Sequence, residues 1–174
     1  MLAICSCGFP VQDRPEAIDV AVVTVPEVPP TVPDATGLES IRVWMVDDGT
    51  LTPVKRLVSS PPLAADAVAA LAGGATAEES DSGLRSAIPD ASMLTEVVVS
   101  RGVATIGLSN DFLDIPAGDQ VLAVGQVVHT LTDLRGVGRV QFEIDGEEVA
   151  VPLPNGDSAQ EPVSRDDFED LLRD

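Results

Sequence analysis

Between residues 38 and 153 the spacing of apolar positions alternates between a period of two and a helical period, and each change marks an element. Ile41-Arg42-Val43-Trp44-Met45-Val46 predicts a strand, Asp47-Asp48-Gly49 a turn, and Val54 to Val58 a second short strand. Ser60 stands where a helix cap belongs, with Pro61 at the first helical position, and Leu63, Ala67, Val68 and Leu71 recur at helical spacing up to Gly73-Gly74. A Glu, Ser and Gly-rich loop leads through Leu84 to Pro89. Leu94 to Ser100 and Val103 to Leu108 then predict a hairpin closed at Arg101-Gly102. From about Gly118, the positions Val121, Val124, Val128 and Leu131, flanked by Leu122, Val127 and Leu134, predict a long helix with a broad apolar face, ended by Gly136. Val140 to Ile144 alternates, Asp145-Gly146 turns, and Val149 to Leu153 returns as a strand. This order predicts an α+β fold, a mixed sheet of about five to six strands with two main helices packed on one face.

The flanks read differently. Residues 8–37 carry Pro10, Pro15, Pro26, Pro29, Pro30 and Pro33 among many valines, a density of proline that neither continues a helix nor donates to a ladder. An extended tether is expected, and some 30 residues at about 3.1 Å each reach on the order of 90 Å. The alternative is an arm packed back on the body, with Val20 to Val25 adding an edge strand. Beyond the body at 38–153, residues 154–174 read as an acidic tail. Pro154 to Pro162 is a flexible connector, and Ser164 with Asp167 caps a short helix that presents Phe168, Leu171 and Leu172.

Charge narrows the function. Ten basic residues stand against 29 acidic ones, a formal charge of −19. Residues 1–37 contribute −4, 38–154 contribute −10 and 155–174 contribute −5, so acidity is spread along the chain. Nucleic acid is excluded as a partner by the sign of the charge and by the scarcity of rings, four Phe and one Trp with no Tyr. No apolar run is long enough to cross a membrane as a helix.

Both cysteines lie in the first ten residues, Met1-Leu-Ala-Ile-Cys5-Ser-Cys7-Gly-Phe-Pro10. One intervening residue makes too small a ring for an easy disulfide, and two thiolates with the distant His129 leave a zinc site short of a ligand. Ile4-Cys5-Ser6-Cys7 fits the lipobox of bacterial lipoproteins, with Cys7 as the residue that receives diacylglycerol. Residues 1–7 then read as the remnant of a lipoprotein signal. Six residues without a base are too few for a complete signal peptide. Either the true start lies upstream, or the chain stays in the cytoplasm with two ordinary thiols.

A catalytic set is hard to assemble. His129 is the sole imidazole, so a hydrolase would have to use it, yet it sits close to the apolar face of the long helix. No Gly-x-Ser-x-Gly elbow, phosphate loop or dinucleotide pattern occurs, and Lys55 is the only lysine. Asp47-Asp48-Gly49 and Asp145-Gly146 lack the alternating oxygens of a calcium loop and read as turns. A carboxylate pair for sugar hydrolysis would lack its usual aromatic platforms. No catalytic, cofactor or metal residues are therefore assigned, and the chain reads as a non-enzyme.

Six segments, in order, resemble the GerMN domain of sporulation and spore germination proteins. They are Val43-Trp-Met-Val46 with Leu51-Thr-Pro-Val54 and Arg56; Ala67-Val-Ala-Ala-Leu71 running into Gly73; Gly83-Leu-Arg-Ser-Ala-Ile-Pro89; Gly102-Val-Ala-Thr-Ile106 with Leu108 and Phe112; Gln126-Val-Val-His-Thr-Leu131; and Gly136-Val137 leading to Val140-Gln-Phe142 and Asp145-Gly146. Many members have Gly-Pro after the first helix where this chain has Gly74-Ala75. Cys7-Gly-Phe-Pro10 followed by Pro15-Glu-Ala-Ile18 is similar to the mature start of actinobacterial GerMN lipoproteins. The resemblance implies a small α+β domain lipid-anchored through Cys7 at the outer face of the cytoplasmic membrane. It further implies an envelope protein partner or self-association and no catalytic residues to carry over. The alternatives are an envelope ligand-binding module, for wall glycan or a divalent cation, and a hydrolase using His129.

Overall fold

The computed structural model describes residues 37–172. The lipobox, Cys7, the segment Val20 to Val25 and nearly all of the proline-rich stretch lie outside the described residues.

The chain enters β1 (Leu38–Asp47), which pairs antiparallel with β2 (Thr50–Ser59) over all ten residues, from Leu38 opposite Ser59 to Asp47 opposite Thr50. The turn holds φ at +48° in Asp48 and +82° in Gly49, the left-handed pair that a two-residue hairpin requires. The helix α1 (Ala64–Ala72) follows, then a five-residue helix α2 (Ala77–Asp81). β3 (Leu94–Ser100) and β4 (Val103–Leu108) form the second hairpin, turning at Arg101 (φ +51°) and Gly102 (φ +84°). The long helix α3 (Ala117–Thr132) carries the chain to β5 (Arg139–Ile144), which pairs parallel with β4 from Val103 opposite Arg139 to Leu108 opposite Ile144. A parallel pair needs such a crossover, since no tight turn can join two strands running the same way. β6 (Glu147–Glu148) turns back on β5.

The α+β class is thus present, with the strands divided among three ladders. The mixed sheet runs β3-β4-β5-β6, β1-β2 form their own ladder, and β7 (Val151–Pro152) pairs with β8 (Ser158–Ala159). Ala104, Ile106 and Leu108 alternate with Val140, Phe142 and Ile144 as fully or nearly buried side chains on one face of the mixed sheet. α3 is the centre of the fold. Leu122 through Leu131 are ten consecutive buried residues, because α3 touches β1, β2, α1, β5, β7 and the C-terminal turn. The sequence pattern promises one apolar face, whereas the structure buries the polar side as well, through the hydrogen bonds described below.

Other differences are local. α1 starts at Ala64 instead of at Pro61, because a residue that precedes a proline is driven out of the helical region and Pro62 follows Pro61. Its first turn is closed by Asp66, which accepts from the Leu63 N–H at 3.1 Å. The loop before Leu84 hides α2, capped by Thr76 and Glu79 on each other's backbone N–H. Of the run Val149 to Leu153 only Val151–Pro152 forms a strand, and it leaves the mixed sheet to pair with Ser158–Ala159. The segment beyond Pro154 forms β8 and the 3-10 turn Arg165–Leu171, whose Phe168 is 0% exposed against α3.

Candidate functional site

Gln126, Thr130 and Asp133 lie four and then three residues apart, so they share one stripe of α3. That stripe meets the free edge of β1. The Gln126 amide nitrogen donates to the Trp44 carbonyl at 2.7 Å while its Oε1 accepts from the Ala87 N–H at 2.6 Å. Thr130 Oγ1 accepts from the Trp44 N–H at 3.1 Å. One turn of side chains thereby satisfies both backbone groups of Trp44, which a two-stranded ladder leaves open on its outer side. Val46 is served by Arg85, with N–H to carbonyl distances of 2.8 and 2.9 Å in the two directions.

His129 lies in this layer and is 1% exposed. Its ring is 4.9 Å from that of Trp44, and its Nε2 sits 3.3 Å from the Phe168 carbonyl. A carbonyl only accepts, so Nε2 carries the hydrogen. Burial holds the imidazole below its ordinary pKa; the Phe168 carbonyl and Asp133 pull upward and Arg165 downward. The ring is closed off from solvent and its Nε2 is engaged with the backbone.

Asp133 ends the stripe, and its side chain is 6% exposed. Its Oδ1 accepts from Arg42 at 2.8 Å and Arg165 at 2.7 Å, and its Oδ2 accepts from Trp44 Nε1 at 3.0 Å. Beside it opens a cleft of about 600 Å³, lined by residues that include Arg42, Arg135, Pro61 and Pro62. A second, acidic cleft lies at the other end of β4 and β5, between Glu96, Glu143 and Asp145, where Asn110 donates to Asp145 at 3.1 Å. The Ser109 hydroxyl on its wall is buried and finds no hydrogen-bond partner among the described residues. Among the described residues no three His, Cys, Asp or Glu side chains come together to hold a metal ion. Asp145 has φ +54° and, like Asp48, belongs to a two-residue turn.

One further feature is open. β3 is one edge of the mixed sheet, with α1 packed beside it, and Val98 and Val99 are 60% and 43% exposed. In a two-residue hairpin the closing pair, Ser100 and Val103, exchanges both hydrogen bonds, and the pattern alternates from there. Val97 and Val99 therefore aim their N–H and C=O groups away from β4. Three successive valines in the sequence announce a strand but not its position at the edge. Arg42 and Asp133 were invisible as partners because 91 residues separate them.

These features define a single-copy α+β module in which a hairpin and a mixed sheet close on one central helix. The chain belongs to the Germane family, described as sporulation and spore germination, whose model matches residues 32–150, more than half its length. Two solved chains of Bacillus subtilis GerM share its fold at 22% identity over 74% of this chain. They are the tandem GerMN domains (TM-score 0.57, 47% of that chain) and the first GerMN domain (TM-score 0.55, 98% of that chain). The present chain thus spans about half of the tandem pair. A Clostridium perfringens protein described provisionally as a lipoprotein matches at 16% identity and TM-score 0.52, over 79% of this chain and 94% of that one. No curated protein matches. GerMN domains are not known as enzymes.

Proposed function

We propose that the chain is a non-enzymatic module of the cell envelope that works by protein contact or self-association, held at the outer face of the cytoplasmic membrane by diacylglycerol on Cys7. The observation that carries the contact is the edge of β3, which no strand of the described residues pairs. With that side unpaired, the outward N–H and C=O groups at Val97 and Val99 are a template for an added strand. His129, buried and turned to the backbone, offers no exposed base for hydrolysis. The lipobox at Ile4 to Cys7 and the description of the Clostridium perfringens relative as a lipoprotein support the anchor.

The edge is tested by Val99→Pro, which deletes the outward N–H and leaves the bonds to β4 in place, alongside Val98→Lys on the solvent face. Sedimentation of the purified chain and crosslinking in envelopes should both show the assembled species reduced at least tenfold, with the melting temperature within a few degrees of the parent. Undiminished assembly in both variants refutes the edge. The anchor is read separately, by labelled fatty acid incorporated into a form extended to an upstream start. Incorporation that survives Cys7→Ser removes Cys7 from the proposal.

A further inference from the structure

The acidity of this chain is uniform along the sequence but not in space. α3 and the strands it connects define an axis of about 24 Å, from 16 residues at 1.5 Å each. At one end lie the acidic cleft and Asp119, which Arg85 engages at 2.6 Å. At the other end, the Gly102 carbonyl accepts from the N–H groups of Gly138 and Arg139 at 2.8 and 3.2 Å, which sets the turn bearing Arg101 against Arg139 at the start of β5 and the loop before it, which bears Arg135. Arg135 shares its cleft with Arg42, and Arg42 is the cross-strand neighbour of Lys55. Arg101, Arg135, Arg139 and Lys55 are exposed and make no ion pair among the described residues. Arg56, between Lys55 and Leu57 on the opposite face of the ladder, is locked on Glu79, and Arg85 is locked on Asp119 at the acidic end.

The same end carries exposed apolar groups. Leu38 and Leu57 are 71% and 67% exposed and diagonal to one another on one face of the β1–β2 ladder. Leu63, 60% exposed, follows the prolines that line the cleft. Acids are present too: Asp133 is held between two arginines, Glu39 accepts from Ser60 at 3.0 Å, Asp66 caps α1 and Asp167 caps the turn at Ser164, while Asp166 is exposed beside Arg165. Finally, the chain enters the described residues here, at Gly37, whose carbonyl accepts from the Ser60 N–H at 3.0 Å.

We infer that this pole is a membrane-facing surface, on which guanidinium groups meet the phosphates of anionic lipids while Leu38, Leu57 and Leu63 enter the headgroup boundary. The net charge of −19 does not forbid this. At physiological ionic strength fields fade over about 8 Å, so a bilayer at the basic pole is screened from the acidic end. Leucine beside arginine is the pairing that an interface with one apolar and one anionic layer selects. The inference rests on the envelope reading only for the presence of a bilayer; the surface itself is independent of Cys7.

The test uses the full chain without lipid, so failure of the anchor and failure of the surface are distinguishable. Flotation with vesicles of phosphatidylglycerol and phosphatidylcholine should recover the chain at 50 mM salt, and vesicles of phosphatidylcholine alone should not. The combined change Arg101→Gln, Arg135→Gln, Arg139→Gln should cut recovery at least fivefold, as should Leu38→Ser with Leu57→Ser and Leu63→Ser. Glu143→Gln with Asp145→Asn, at the far end, should leave it unchanged. Equal recovery on both vesicle types, or no recovery on either, overturns the inference. Loss with the arginine changes but not with the leucine changes overturns the lipid assignment and points to a soluble anionic polymer. Circular dichroism of every variant separates these outcomes from unfolding.

Discussion

Asp133→Ala should cost more stability than surface ion pairs usually do, and the structure says how much. Arg42 and Arg165 are 55% and 42% exposed, so on losing the carboxylate they turn to water at about 0–1 kcal/mol each. Trp44 has no such escape. It is 9% exposed, and its Nε1–H, 3.0 Å from Asp133, would be left without an acceptor at about 1–3 kcal/mol. A small gain offsets this, since a carboxylate at the C-terminal end of α3 opposes the helix dipole by about 0.3–1 kcal/mol. The expected net loss is about 2–3 kcal/mol. Asp133→Asn keeps an acceptor for Trp44 and should cost roughly half as much. Urea unfolding followed by circular dichroism measures each variant. Trp44→Phe completes a double-mutant cycle, in which the coupling between Trp44 and Asp133 should be about 1 kcal/mol. If Asp133→Ala costs less than about 0.5 kcal/mol, or the coupling is zero, the carboxylate does not tie β1 to α3 and this account of the site is wrong.

Three other measurements follow. His129 is buried and its folded pKa is depressed, so the unfolded chain takes up the proton first as pH falls. Stability should be complete above the unfolded value near 6.5 and decline below it by up to about 1.4 kcal/mol per pH unit, a decline absent in a folded His129→Gln variant. Glu79 is gripped at both oxygens by Arg56, at 2.6 and 2.7 Å, and its pKa falls from 4.5 to about 2. Its contribution is present above about pH 4.5 and lost as pH falls toward 2. Solvent access reduces the ceiling of about 3 kcal/mol to about 1–2, which a comparison of Glu79→Gln with the parent at pH 7 and pH 3 would show. A Cβ at Gly107 would collide with Thr95 Oγ1 beside the bulge in β3, so Gly107→Ala should cost about 1–3 kcal/mol, and Thr95→Gly should restore part of it.

The elements that were legible from the sequence are those whose signal is local. Asp48-Gly49, Arg101-Gly102 and Asp145-Gly146 each put a left-handed residue pair between alternating runs, and each is a two-residue hairpin turn. The long helix was visible because its valines and leucines recur at 3.6 residues. What escaped depends on partners far along the chain. Gln126 and Thr130 read as polar positions and are fully buried, because they bond to a strand more than eighty residues earlier. The basic pole escaped for the same reason: Arg42, Arg101, Arg135 and Arg139 are scattered in sequence and brought together by the crossover through α3. His129, read as close to an apolar face, is enclosed because Phe168 arrives from beyond the mixed sheet to cover it.

That covering has a consequence in time. Residues 32–150 hold the family pattern, yet Phe168 packs on α3, Val163 pairs with Val140 in both backbone directions, and Leu172 bridges to Leu51. A ribosome that has released residue 150 still holds the lid of the core. Until the last stretch emerges, the imidazole of His129 and part of the central helix stay wet. A fragment cut at the family boundary would lack this cover and be a different folding problem from the domain that carries it.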